Sequence, residues 1–348
     1  MRVRLEDVCE KESSKLKQSD VIDQNGLYPV YGASGYLGSI NTYQQSNYYV
    51  AVVKDGAGIG RTMLLPPKSS IIGTMQYLIP KDNVQPEYLY YVVKAKHLEK
   101  YFSGATIPHI YFKDYKNEQF DLVSFEKQRD IINRLKKIEI IIDSLSKILV
   151  LLDELVRARF VEMFGDEKKQ IIMRDVCSII TDGTHQPPDF KNIGIPFIFV
   201  SNIAGDKLTY NVEKYIDQDT YDELIKRTPI EVGDVLLSTV GSYGHAAVVK
   251  ENKKFLFQRH IAYLKPKSEL INSDYLHGAI LSPNVQEQIE RAIKGIAQKT
   301  LNLSEVKKLV IPLPSMEKQN QFASFVKEID KSRLLSNHSL FLIKSIIL

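Results

Sequence analysis

Only two cysteines occur in the 348 residues, Cys9 and Cys177, and each follows a valine, in "DVCE" and "DVCS". Two thiols at matching places in different parts of a chain are expected to be small buried apolar residues, not a disulfide. No apolar run reaches the ~18 residues a membrane helix requires. The opening "MRVRLEDVCEKESSK" carries no apolar stretch of signal-peptide type, so a cytoplasmic protein without membrane association is expected. A dense basic tail is also missing: 46 Lys and Arg against 42 Asp and Glu leave a net charge of +4. Charge alone therefore does not suggest nucleic acid, and any DNA binding must rest on local patches or be shared with a more basic partner. The seven histidines and two cysteines do not cluster at zinc spacings, and no metal site is expected.

What is present is a repeat. "LVSFEKQRDIINRLKKIE" begins at Leu122 and "LPSMEKQNQFASFVKEID" at Leu313, 191 residues later, and Gly104 answers Gly295 at the same offset. Upstream, Val8-Cys9 answers Val176-Cys177 at an offset of 168, "GRTMLL" from Gly60 answers "GHAAVV" from Gly244 at 184, and Tyr77-Leu78 answers Tyr263-Leu264 at 186. The growing offset means that the second copy carries more residues, most of them before Gly244. Related units that differ by insertion differ in loops, where recognition usually resides.

Glycine and proline are absent from Phe125 to Phe164, and there Ile131, Leu135, Ile138, Ile142, Leu145, Leu149, Leu152 and Val156 alternate at spacings of four and three. That heptad seam predicts a helix of roughly 60 Å, at ~1.5 Å per residue, that seeks a partner helix. Shifted by 191, the seam falls on Phe322, Val326, Ile329, Arg333, Ser336, Leu340, Ile343 and Ile347, so a second helix in the same register is expected. Arg333 and Ser336 would weaken its middle. Either the arginine fixes register at a cost in stability, or it snorkels out of the interface. Between the helices, "NYYVAVV", "QYLIP", "PFIFVS", "GDVLLSTV" and "IAYLKP" read as short strands, and "PEYLYYVVKAKHLEKYF" and "SDYLHGAILSPNVQEQIERAIK" as helical. The expected class is α+β, in the order domain 1–124, helix 125–165, domain 166–315, helix 316–348.

The stretches "YPVYGASGYLGSI" and "KDGAGIGRTMLL" in the first copy, "ITDGTHQPPDF", "GDVLLSTVGSYGHAAVV" and "FQRHIAYLKP" in the second, and the "IPLPSMEKQ" hinge into a long helix carry a resemblance. Together with the repeat, they make the chain similar to the specificity subunits of type I restriction-modification enzymes, over essentially its whole length. The first copy departs in having "FDLVSFEKQ" in place of a Pro-containing hinge. The last helix ends at Leu348, about 7 residues short of the equivalent of Phe164, which leaves open how completely it pairs. The resemblance implies two strand-rich target-recognition domains, each reading half of a bipartite DNA site, and two helices paired as an antiparallel coiled coil that spaces them. It also implies a non-catalytic chain docked to two methyltransferase subunits, which bring S-adenosylmethionine and methylate adenine at N6. Restriction (translocase-nuclease) subunits using ATP and Mg²⁺ would join for cleavage. No cofactor is expected in this chain.

Base reading needs paired donors and acceptors presented from loops. Candidates in the first domain are Lys54 and Arg61 in "VKDGAGIGR" and Thr106 and His109 in "GATIPHIY". In the second they are Thr181, Asp182, Thr184 and His185 in "TDGTHQ", Ser242 and Tyr243 in "STVGSYGH", Arg259 and His260, and Gln298 and Lys299. The alternative for all of them is turn chemistry, with polar groups satisfying loop backbone. Two other function classes remain open. Asp189 followed by Glu251 and Lys253 fits the loose carboxylate, carboxylate and lysine pattern of a Mg²⁺-dependent endonuclease, although "KENKK" reads as a solvated hairpin turn. A coiled-coil adaptor would explain the helices alone. "GAGIG" from Gly56 lacks a dinucleotide fingerprint, and "QPPDF" carries Pro-Pro in the wrong frame for an adenine-methyltransferase motif, so no catalytic residues are expected.

Overall fold

The structure is a computed structural model that describes residues 1–22, 24–104, 108–293 and 299–347. It divides into two units, Met1–Ser144 with Leu342–Leu348, and Leu145–Phe341.

In the first unit, the run Tyr49–Val53 is buried throughout, as a central strand requires. It pairs antiparallel with Thr62–Leu65 on one side and Met75–Pro80 on the other, and Cys9–Ser13 closes the sheet as a charged edge strand. Successive side chains of Tyr49–Val53 go to opposite faces. Val50 and Val52 pack with Leu89 and Val93 of the helix Pro86–Lys94, while Tyr49, Ala51 and Val53 pack with Ile71 and Met75. Beside this sheet stands a three-stranded one in which Tyr28–Gly32 pairs antiparallel with Gly35–Ile40 and parallel with Ser70–Ile71.

The second unit repeats that plan strand for strand. Its four-stranded sheet runs Cys177–Asp182, Ile261–Pro266, Val235–Ser238, Ala246–Val248, and its three-stranded sheet pairs Ile195–Ile198 antiparallel with Tyr215–Ile216 and parallel with Leu256–Phe257. A tight hairpin joins Tyr28–Gly32 to Gly35–Ile40 in the first copy, whereas in the second the corresponding link runs from Phe199 to Lys214. A further insertion before Val235 holds the helix Gln218–Leu224. The extra length of the second copy thus sits mainly between Ile198 and Val235. Both cysteines open an edge strand and are buried and free, and burial pushes each thiol up to about 12.

Two helical readings differ in detail. The stretch from Ser273 is two helices, Ser273–Ile280 and Pro283–Ala292, because Pro283 favours a first helical turn and cannot continue one. After Lys94 the chain leaves the helix and makes a separate turn at Leu98–Tyr101, with His97 in the left-handed region.

Each unit is joined to its long helix by a buried glutamine. Gln128, in the helix Phe125–Phe164, accepts from the backbone N–H of Gln85 at 2.8 Å and donates to the carbonyls of Asn83 and Val123. Gln319, in the helix Met316–Ile347, accepts from the N–H of Asn272 at 2.9 Å and donates to Leu270 and Pro314. The side chain of Ser315 caps only at 3.5 Å, so the fixed element of the repeated Glu-Lys-Gln is the glutamine.

Within the second unit the two long helices meet. Phe160 and Phe164 of the first pack with Phe322 of the second and with Tyr275, the Phe160 and Phe322 rings meeting edge to face at 5.3 Å. Farther along, Arg333 donates to the carbonyl of Leu152 and pairs with Asp153 and Asp330. Rising numbers on one helix meet falling numbers on the other, so the pair is antiparallel. Arg333 is 8% exposed and lies in the seam; it does not snorkel.

Candidate nucleic-acid interface

In the second unit, four loops that are distant in sequence are stitched edge to edge by backbone hydrogen bonds. Thr184 donates to Phe257 and accepts from Arg259, Thr239 donates to His260, and Gly241 donates to Lys299. Gly183 is required at this junction, since a Cβ there would fall 2.2 Å from the carbonyl oxygen of Phe257. Thr184, His185, Ser242, Tyr243, Arg259, His260 and Lys299 therefore share one continuous loop surface.

Most of the charged members of this surface are paired. Asp182 receives Arg227 at 2.5 Å and His185 at 2.9 Å, and Tyr243 donates to Glu290 at 2.6 Å while accepting from Lys299 at 3.3 Å. The Tyr243 hydrogen bond holds the Glu290 carboxyl below its usual range and, with the charges nearby, raises Lys299. Arg259 differs. It is exposed, its Nε lies 3.4 Å from His260 Nε2, and among the described residues no carboxylate pairs with it. Burial and then the Arg259 charge lower the pKa of His260, which favours a neutral ring whose Nε2 accepts from Arg259. Thr181 lies in the strand, half-buried opposite Tyr263. Arg227 was not singled out from the sequence. It lies in the inserted segment, 42 residues from His185, and no local pattern points to it.

The first unit has a smaller version of this surface. Gly56 donates to Pro108, Ile110 donates to Lys54, and Asp55 bridges His109, at the position that Val240 and Thr300 bridge in the second unit. Lys54 and His109 both pair with Asp55, at 3.2 and 2.7 Å, and Arg61 donates to the Ala33 carbonyl at 2.7 Å. Thr106 and Gln298 lie outside the described residues, as does the side chain of Ile347. These half-buried pairs lie at a loop surface, where phosphates or base edges can replace the internal partners.

Of the helix seam, Ile131, Leu135, Ile138, Ile142, Leu145, Leu149, Leu152 and Val156 are half-buried, Phe322, Val326 and Ile329 are buried, and Leu340 and Ile343 are half-buried. The carboxylates of the nuclease pattern are engaged separately, Asp189 with Lys191 and Glu251 with Lys253. Among the described residues, no group of three His, Cys, Asp or Glu stands together as a metal site would need. "KENKK" is not simply a solvated turn, because Lys250 bonds Asp330 of the second long helix at 2.6 Å. Among the described residues, no helix is long and apolar enough to cross a membrane.

Comparison with known proteins agrees with this architecture. The chain is 31% identical over 147 residues to the type I restriction enzyme EcoBI specificity subunit of Escherichia coli, a match that spans 42% of this chain and 31% of that one. It is 21% identical over 311 residues to the MjaVIII specificity subunit of Methanocaldococcus jannaschii, covering 81% of this chain and 72% of the relative. Among solved structures, the type I restriction-modification S subunit from M. genitalium aligns over all of this chain and 93% of its own, with a TM-score of 0.58 and 14% identity. A chain from a structure described as the basis of "complex assembly and conformational transition of the type I R-M system" aligns over all of this chain and 95% of its own, with a TM-score of 0.60 and 15% identity. The family described as "type I restriction modification DNA specificity domain" matches twice, over residues 1–153 and 167–343. With both repeats matched and the same sheet order in each, the chain belongs to the type I restriction-modification DNA specificity family.

Proposed function

We propose that this chain is the sequence-reading subunit of a type I restriction-modification complex. Each unit reads one half of a split double-stranded DNA target, and the long helices set the distance between the halves. The observation that carries this reading is that one domain plan occurs twice with different loop surfaces, each copy feeding a long helix through a buried glutamine. Two identical domains would read a palindrome, while two that differ at their loops read unequal halves.

The chain itself catalyses nothing on this reading. Two methyltransferase subunits dock to it and bring S-adenosylmethionine, and restriction subunits using ATP and Mg²⁺ join them for cleavage. The assembly named for one structural relative supports such partners. Methylation mapping of the source genome tests the whole reading at once: a split motif containing modified adenines, lost when this gene is deleted, is expected. A genome whose methylation is unchanged by the deletion would sink it. The purified chain should neither methylate nor cut DNA, and Mg²⁺-dependent cutting by it would favour the nuclease alternative.

A further inference from the structure

The second unit holds its recognition domain against the helix pair in two unlike ways. At the glutamine hinge the attachment is apolar and tight. Gly278 sits so close to the rings of Phe322 and Phe160 that a Cβ would lie 2.7 and 3.0 Å from them. Next to that contact a cavity of about 430 Å³ opens between domain and helices, bordered by Phe160, Gly278 and Val326 and lined beyond them by the charged Arg157, Lys250 and Arg333. Across it the attachment is ionic. Lys250, in the loop after Ala246–Val248, bonds Asp330 at 2.6 Å and Asp274 at 3.4 Å, and Arg333 passes Asp330 on to Asp153 of the first long helix. On the other side Arg157 of that helix bonds Asp206 at 3.1 Å, and Asp206 accepts from His245 Nδ1 at 2.9 Å.

The second link reaches the reading surface directly. His245 ends the "STVGSYGH" loop and its N–H is held by the Ser238 hydroxyl. Asp206 lies in the Phe199–Lys214 segment that the first copy lacks, in the left-handed region at φ 57°, which Asp and Asn tolerate better than other side chains. Packed rings hold the domain at one side of the cavity, and the ionic links hold it across the rest.

We infer that Asp206 and Lys250 are positioning residues that set the angle at which the second reading surface is held to the spacer helices, and so the spacer length the complex accepts. This rests on the function proposed above. Burial alone would raise the carboxyl of Asp330, yet Lys250 and Arg333 bring it below its usual range, which marks the link as a favourable one.

The test uses the assembled complex and plasmids carrying the mapped target with its native spacer or with one base pair added or removed. Asp206→Asn keeps the left-handed backbone and removes the charge; Lys250→Met removes the amine. In the double variant the ratio of methylation at native to altered spacers should fall about tenfold. The bases read in both halves should stay the same, and Lys250→Arg should restore much of the ratio. A ratio within twofold of wild type overturns the inference. So does loss of methylation at every spacer, which would make the pair necessary for folding or reading. Absence of any split motif in wild-type cells would instead strike the proposed function.

Discussion

Gln128 and Gln319 show how much one buried side chain decides. Each sits at the third position of a Glu-Lys-Gln and satisfies three backbone groups where domain meets helix. Gln319→Ala strands the Asn272 N–H and two carbonyls, and a loss of ~1–3 kcal/mol is expected in urea unfolding. A change below about 0.5 kcal/mol would mean that water replaces the amide freely. His277 gives a pH prediction. Burial lowers its pKa more than the Ala246 and Asp206 carbonyls raise it. The unfolded ring takes a proton near pH 6.5 and the folded ring only at lower pH, so stability is complete above ~6.5 and declines as pH falls through it. Thermal midpoints between pH 7.5 and 5.5 should fall less in His277→Gln than in wild type, and parallel curves would count against this assignment. Arg333 was ambiguous from the sequence because nothing local shows whether a carboxylate faces a seam position. Asp153 lies 180 residues away along the chain, and only the antiparallel pairing brings it opposite.

Among elements, the helix Ser273–Ile280 offers a test in which two effects have opposite signs. In an exposed helix Gly→Ala gains ~0.5–1 kcal/mol from propensity. At Gly278 the new methyl would meet two stiff rings, and overpacking costs ~1–3 kcal/mol. Gly278→Ala should therefore lower the melting temperature, whereas a rise would show that the rings give way. The long helices were legible because heptad spacing survives any change of surface residue. The break at Pro283 was legible in principle from the Ser-Pro step but was hidden by apolar periodicity on both sides of it.

At the scale of the whole molecule, the reading surfaces are the prediction of most consequence. Arg259→Ala should relax or abolish reading of one half-site and leave the other half and assembly unchanged, as methylation mapping would report. Unchanged patterns would remove Arg259 from the site. Its exposure without an acidic partner among the described residues sets it apart from Lys54, Lys299 and Arg227, whose charges are already shared.

The repeat, the two helices and their register, five of the strands and the buried cysteines were readable from the chain itself, because periodicity and spacing are local properties that survive without a fold. Which loops become neighbours was not readable. Thr184 meets Arg259, and Gly241 meets Lys299, through hydrogen bonds between segments more than fifty residues apart. Asp206, Arg227 and Lys250 acquire their partners only when the sheets close and the helices pair. Local pattern determined the parts and their order, and long-range pairing, which local pattern does not encode, decided which side chains stand together.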